Sequence, residues 1–282
     1  MSQARSASFP PYGSSDPPVG AGWGRAGLRR VVRTLGPFVP LLLLWQISAA
    51  SGRWSADLFP PPSAALAAFW DLIRKGILPT YLYNSLVRLL TGVAFSVVLG
   101  VVLGVALGIN RRLGEALEPT TAFFQSIAEI AWIPLALIWF GFGFQTMIFL
   151  VIYTAFFPIF FNTLIGVRSI PPSITEAMLT LGARRHHLIR EVVLPGALPG
   201  IITGVRLGAG YGWRALIAGE MIVGVDGLGF LLFSSRSFNQ TDRILVCLVL
   251  LGALWLVTDR LILKPCEEAT IERWGLVTTQ GP

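Results

Sequence analysis

Long uncharged stretches dominate this sequence. Apolar runs about 17 to 25 residues long recur along it, each able to cross ~30 Å of hydrocarbon at ~1.5 Å per residue. A chain written this way must fold in lipid, and the expected fold class is all-α: one polytopic membrane helix bundle. Composition agrees. Of 282 residues, 54% are hydrophobic and only 13% charged, against roughly 25% charged in a soluble domain. Two soluble domains are thereby excluded.

Six spans are expected, over residues 35–50, 84–109, 119–140, 146–167, 196–223 and 244–263. The third is interrupted by Glu129 and Pro134. Between the first two lie Pro60-Pro61-Pro62 and a short amphipathic stretch, 63–74. Residues 1–34 are rich in Pro, Gly, Ser and Arg and cannot bury a core, so a disordered cytoplasmic tail is expected there. A cleaved signal peptide is not expected, because the first apolar run starts late and no small-residue cleavage pattern closes it. The domain plan is therefore a tail (1–34), a transmembrane domain (35–265) containing a polar block (168–195), and a second cytoplasmic tail (266–282).

The net charge of +7 would suit a nucleic-acid partner, but the arginines lie mostly between apolar runs. Arg25, Arg29, Arg30 and Arg33 precede the first span, Arg111 and Arg112 follow the second, and Arg168, Arg184, Arg185 and Arg190 follow the fourth. All fall on one side if both termini are cytoplasmic. The opposite loops keep chiefly Arg53, Arg74, Lys75 and Arg236. This is the positive-inside bias of a multi-pass protein of a cytoplasmic membrane, with lipid and not nucleic acid as its surroundings.

Two ladders of small residues run at every fourth position: Gly92, Ser96, Gly100, Gly104 and Gly108 in the second span, and Gly196, Gly200, Gly204, Gly208 and Gly212 in the fifth. Small residues at this spacing let helix backbones approach closely in lipid. The two cysteines, Cys247 and Cys266, suggest neither a metal site nor an extracellular disulfide. The adjacent His186 and His187 point apart on a helix and make a poor metal pair. No nucleophile-base constellation stands out, so no catalytic residue and no metal ligand is assigned.

The polar block carries the functional signal. Pro171 to Pro195 reads PPSITEAMLTLGARRHHLIREVVLP. Ser173 followed by Glu176 suits a capping box at a helix start. Gly182 lets the chain turn after Leu181. Leu188, Ile189, Val192 and Val193 then form one face of a second short helix, which Pro195 is expected to close. Two short helices held outside the membrane make a stiff knob suited to a partner's groove.

Here the sequence resembles a known family. Glu176-Ala177-Met178, Gly182 after three residues, Val192 nine residues on, and Leu194-Pro195 are similar to the EAA loop of bacterial ABC importer permeases, departing only at Met178 and Val192. Ala131-Trp132-Ile133-Pro134, Trp139-Phe140-Gly141, the run 194–199, Gly204-Val205-Arg206, Trp213, Glu220, Gly227-Leu228-Gly229 and Thr241-Asp242 resemble the nitrate/sulfonate/taurine/bicarbonate branch. The resemblance covers about residues 35 to 265. It implies a type I importer fold with a second permease subunit (a homodimer), two ATP-binding subunits, and a periplasmic or lipid-anchored substrate-binding protein. It also implies that Ser173, Glu176, Ala177, Gly182, Arg184, Arg185, Leu194 and Pro195 couple the permease to the ATPase. The chain has no G-x-x-x-x-G-K-[ST] phosphate loop, which agrees with ATP and Mg residing on the partner and no cofactor on this chain.

Charges inside apolar runs must be paired, watered or functional. Glu129, Arg206, Arg214 and Glu220 are such charges. With Trp132 and Trp213 they are the candidates for the translocation path. Glu129 and Arg214 are expected either to pair between the third and fifth spans or to contact opposite ends of a dipolar ligand. The expected substrate is a small organic or inorganic anion. The competing readings are a secondary transporter or channel without an ATPase, against which the knob argues, and an intramembrane enzyme, against which the scarcity of His, Cys and clustered carboxylates argues.

Overall fold

The structure, a computed structural model, describes residues 38–51, 55 and 58–273. The expected tail over 1–34 and the end of the C-terminal tail lie outside the described residues. Every regular element among the described residues is helical. In chain order these are α1 (Phe38–Ala50), α2 (Pro62–Arg74), α3 (Ile77–Ile109) and α4 (Arg111–Ser126), then a 3-10 turn (Glu129–Trp132) leading into α5 (Ile133–Phe140). Next come α6 (Phe144–Arg168), α7 (Pro172–Thr180), α8 (Leu194–Val223), α9 (Leu228–Ser237), α10 (Thr241–Thr258) and α11 (Lys264–Arg273).

Among the described residues, four helices are long and apolar enough to cross a membrane: Ile77–Ile109, Phe144–Arg168, His186–Val223 and Thr241–Glu268. A fifth crossing arises if α4 and the segment Glu129–Phe140, bent by 84°, are one broken span. Six spans were expected; these helices account for the second to the sixth, and the first, 35–50, begins outside the described residues. Of that first span, residues Phe38–Ala50 are described, as the helix α1. The third span is interrupted, as expected, and the bend falls at residues 127–128, just before Glu129.

One expectation is corrected. Pro195 does not close the helix of the polar block. One turn (Arg185–Leu188) and a π turn (Ile189–Val193) run straight into α8, giving a 38-residue helix from His186 to Val223. The π turn explains how: its wider i→i+5 bonding, with the Leu194 N–H donating to the Ile189 carbonyl, absorbs the N–H that Pro195 lacks. The same device recurs at Asp259–Leu263 just before Lys264-Pro265, so helix continues through α11 into the segment expected as the C-terminal tail.

The core is built around α6. The α3 ladder packs on it from one side: a Cβ at Gly100 would stand 2.8 Å from Ile159 Cγ2, and one at Gly104 would stand 2.7 Å from Thr163 Cβ. The α8 ladder packs from the other side: a Cβ at Gly204 would lie 3.0 Å from Ile159 Cα, and one at Gly208 would lie 2.8 Å from the Ala155 carbonyl oxygen. Both ladders therefore serve one purpose, the clamping of a bulky helix between two smooth ones, where dispersion replaces the hydrophobic drive.

Candidate functional site

The knob comes first in the chain of command. α7 starts with Pro172 in the first helical position and has no side-chain cap bond. The capping box expected at Ser173 and Glu176 is therefore corrected: Pro172 has no N–H to satisfy and presets the helical φ, so the start moves before Ser173. The far end is a Schellman turn. The Gly182 N–H donates to the Leu179 carbonyl and the Ala183 N–H to the Met178 carbonyl, both at 3.0 Å, with Gly182 at φ +81°. Ser173, Glu176, Ala177, Arg184 and Leu194 are exposed and Pro195 is half-buried, while Arg185 lies at the start of the long helix. Leu181 is 84% exposed, an apolar residue in a segment too polar for lipid. Val193 and Leu188 anchor the knob against Val105 and Val167 at the ends of α3 and α6.

Two cavities open along α8. One, about 250 Å³, is lined by Gln125, Ile127, Glu129, Tyr153, Thr154, Phe157, Pro158 and Tyr211. The other, about 390 Å³, is lined by residues including Thr203, Arg206, Leu207, Gly210, Tyr211, Trp213, Arg214, Trp255 and Asp259. Tyr211 borders both. Of the two arrangements expected for Glu129 and Arg214, the direct ion pair is not formed among the described residues. Arg214 instead sits 4.6 Å over the Tyr211 ring and makes a long 3.4 Å bond to the Gly210 carbonyl. Tyr211 borders both cavities, with Glu129 on one and Arg214 on the other. Trp132 packs into an aromatic cluster, its ring 5.3 Å from Tyr153.

Three candidates have partners of their own. Arg206 donates to Asp259 at 2.7 and 3.0 Å and also pairs with Glu267, tying α8 to the end of α10 and to α11. Trp213 is 4% exposed and part of the core. Glu220 is 0% exposed. Its carboxylate accepts from Ser85 Oγ at 2.8 Å, Arg88 Nη1 at 3.0 Å and the Gly229 N–H at 2.9 Å. Arg88 also binds the Asp226 carboxylate and, at 3.0 Å, its carbonyl, and Asn84 donates to Asp226 at 2.8 Å. Ser85, Arg88 and Asp226 were not among the expected site residues. Arg88 carried the same signal as Arg206, a charge within an apolar run.

The family model described as "Binding-protein-dependent transport system inner membrane component" matches residues 96–263, more than half of the chain. The chain belongs to that family. Relatives agree along most of its length. The permease is 37% identical to the putative aliphatic sulfonates transport permease protein SsuC of Escherichia coli, over 78% of this chain and 84% of that one. It is 31% identical to the bicarbonate transport system permease protein CmpB of Synechococcus elongatus, over 92% and 94%. It is 35% identical to a putative ABC transporter permease protein of Methanocaldococcus jannaschii, over 68% and 72%. The fold resembles solved chains of the MetNI methionine ABC transporter in inward-facing form, with a TM-score of 0.54 and 22% identity over 67% of this chain and 96% of that chain. This permease is thus the membrane subunit of an ABC importer of the sulfonate/nitrate/taurine/bicarbonate branch. It is a transport subunit and not an enzyme, and its family works with an ATPase and a substrate-binding protein.

Proposed function

We propose that the permease carries a small anion, delivered by a substrate-binding protein, along a path between two copies of this chain, and that the segment Ser173–Pro195 couples the path to two ATPase subunits. The relatives' sulfonate, taurine, bicarbonate and nitrate substrates motivate the anion. ATP and Mg belong to the partner. Both termini face the cytoplasm in this reading, as the loop arginines suggest.

One observation carries the coupling: helix His186–Val223 begins at the exposed knob and ends beyond both cavities. A helix of this length, about 57 Å, gives the knob a continuous backbone connection to both cavities. A second copy is supported by burial. Arg214 and Tyr211 are exposed on a membrane-spanning helix, and a lipid-facing arginine there would be costly, so this face needs water or protein against it. Glu129, Trp132, Tyr211 and Arg214 line the path in this reading. Trp213 and Glu220 hold its walls, and Arg206 fixes the last helix.

The test of docking is Leu181→Cys in a variant lacking Cys247 and Cys266. With the cognate ATPase subunit carrying single cysteines, a disulfide that forms in the assembled complex supports the assignment. A complex that assembles but yields no cross-link from Leu181→Cys or Ile174→Cys contradicts it.

A further inference from the structure

The break between α4 and α5 interrupts helical backbone bonding within an apolar bent pair, and unpaired carbonyls are costly in lipid. The Tyr153 hydroxyl covers it by lying against the Phe124 and Ile127 carbonyls, the latter at 3.2 Å. The Phe124 carbonyl also accepts from the Ile127 N–H, and the Ala128 carbonyl from the Ala131 N–H, so these contacts at the break are made without Glu129. Among the described residues, the half-buried Glu129 carboxylate makes no hydrogen bond or ion pair and lines a cup walled by Thr154, Phe157 and Tyr211. Across Tyr211, Arg214 likewise has no carboxylate partner. The two acids of its cavity, Asp259 and Glu267, are both taken by Arg206. A membrane-embedded carboxylate and a membrane-embedded guanidinium, each left unpaired beside a cavity, mark a functional site.

We propose that the two cavities form one dipolar station for the substrate. Glu129 takes a cationic or N–H-donating group, Arg214 takes the anionic group, and Tyr211 lies against the part between them. The substrate class is then a zwitterion, or an anion that also carries a donor nitrogen. A bare inorganic oxyanion gains from Arg214 but is repelled at Glu129. This rests on the reading that the face lines the path, and it narrows the anion to a donor-bearing one.

The experiment needs no identified substrate. In the assembled complex, with Cys247 and Cys266 replaced, Thr154→Cys reports on the cup and Leu207→Cys on the Arg214 cavity. Thr154 uses its hydroxyl only for a local bond to the Leu150 carbonyl, so the exchange is mild. Each thiol is reacted with cationic methanethiosulfonate ethylammonium and with anionic methanethiosulfonate ethylsulfonate, in nucleotide-free and vanadate-trapped states. The ratio of the two rates cancels the thiol's own reactivity. Focused charge changes local ion concentration by ~10-fold or more, so Glu129→Gln should lower the cation-to-anion ratio at Thr154→Cys about tenfold. Arg214→Gln should raise it at Leu207→Cys by a similar factor. Reaction of both reagents with ratios unmoved, within about twofold, overturns the dipolar station while leaving the path reading intact. Failure of either reagent to react in both states overturns the path reading, and the station with it.

Discussion

Arg88 Nη1 lies 3.0 Å from Glu220 Oε1, with the arginine 4% exposed and the glutamate closed to solvent. The pair joins α3 to α8, and the Gly229 N–H brings in α9. Three helices therefore meet on one carboxylate. Gly227, at φ +107°, belongs to the same joint: a Cβ there would fall on the Glu220 carboxylate.

Removing one member of a buried pair strands the other, at ~3–5 kcal/mol. Arg88→Ala should therefore lower the yield of folded, assembled permease and its thermal midpoint in detergent, as should Glu220→Ala. Arg88→Lys, which keeps the charge but loses the fork that spans Glu220 and Asp226, should fall between. An Arg88→Ala protein as stable as the parent would contradict the joint.

The ladder prediction contrasts two glycines. Gly204→Val would drive a side chain into the Ile159 backbone, and overpacking costs ~1–3 kcal/mol or more. Gly252→Ala meets nothing within 4 Å and should be neutral or gain slightly from helix propensity. Size-exclusion profiles and melting curves of the two variants should separate clearly.

Glu129→Ala and Arg214→Ala should each impair uptake in proteoliposomes, and the double substitution should show no recovery, because the two residues do not pair. Restored uptake in the double variant would revive the direct ion pair. Full uptake by both single variants would remove both residues from the path.

The bundle was legible because lipid imposes a blunt rule: long apolar runs become helices. The ladders were legible for a similar reason, since period-four glycine has one use in a membrane helix. What they packed against was not, because Ile159 and Ala155 carry no mark of being clamped from two sides. The knob's position followed from its polarity, whereas its capping was misread: Ser173 and Glu176 have the spacing of a box, but Pro172 starts the helix first. Pro195 misled in the opposite direction, as a π turn let the helix run through it. Glu129 and Arg214 were visible as misplaced charges. That they lie on two cavities both bordered by Tyr211 is a matter of helix rotation and bend, which spacing along the chain does not encode. Arg88 was equally visible in principle, as a charge in the second apolar run.

The central claim is that Ser173–Pro195 transmits ATP-driven motion through the helix that begins at His186. Gly182→Val tests it most directly. Nothing lies within 4 Å of a Cβ at that position, so the substitution produces no clash. Its cost is the left-handed backbone alone, ~1–2 kcal/mol, spent on reshaping the turn between α7 and the long helix. In proteoliposomes with the ATPase subunit and loaded binding protein, the variant should insert and assemble but lose uptake and lose stimulation of ATP hydrolysis by the binding protein. Parental uptake and stimulation by Gly182→Val, at equal assembly, would contradict the account.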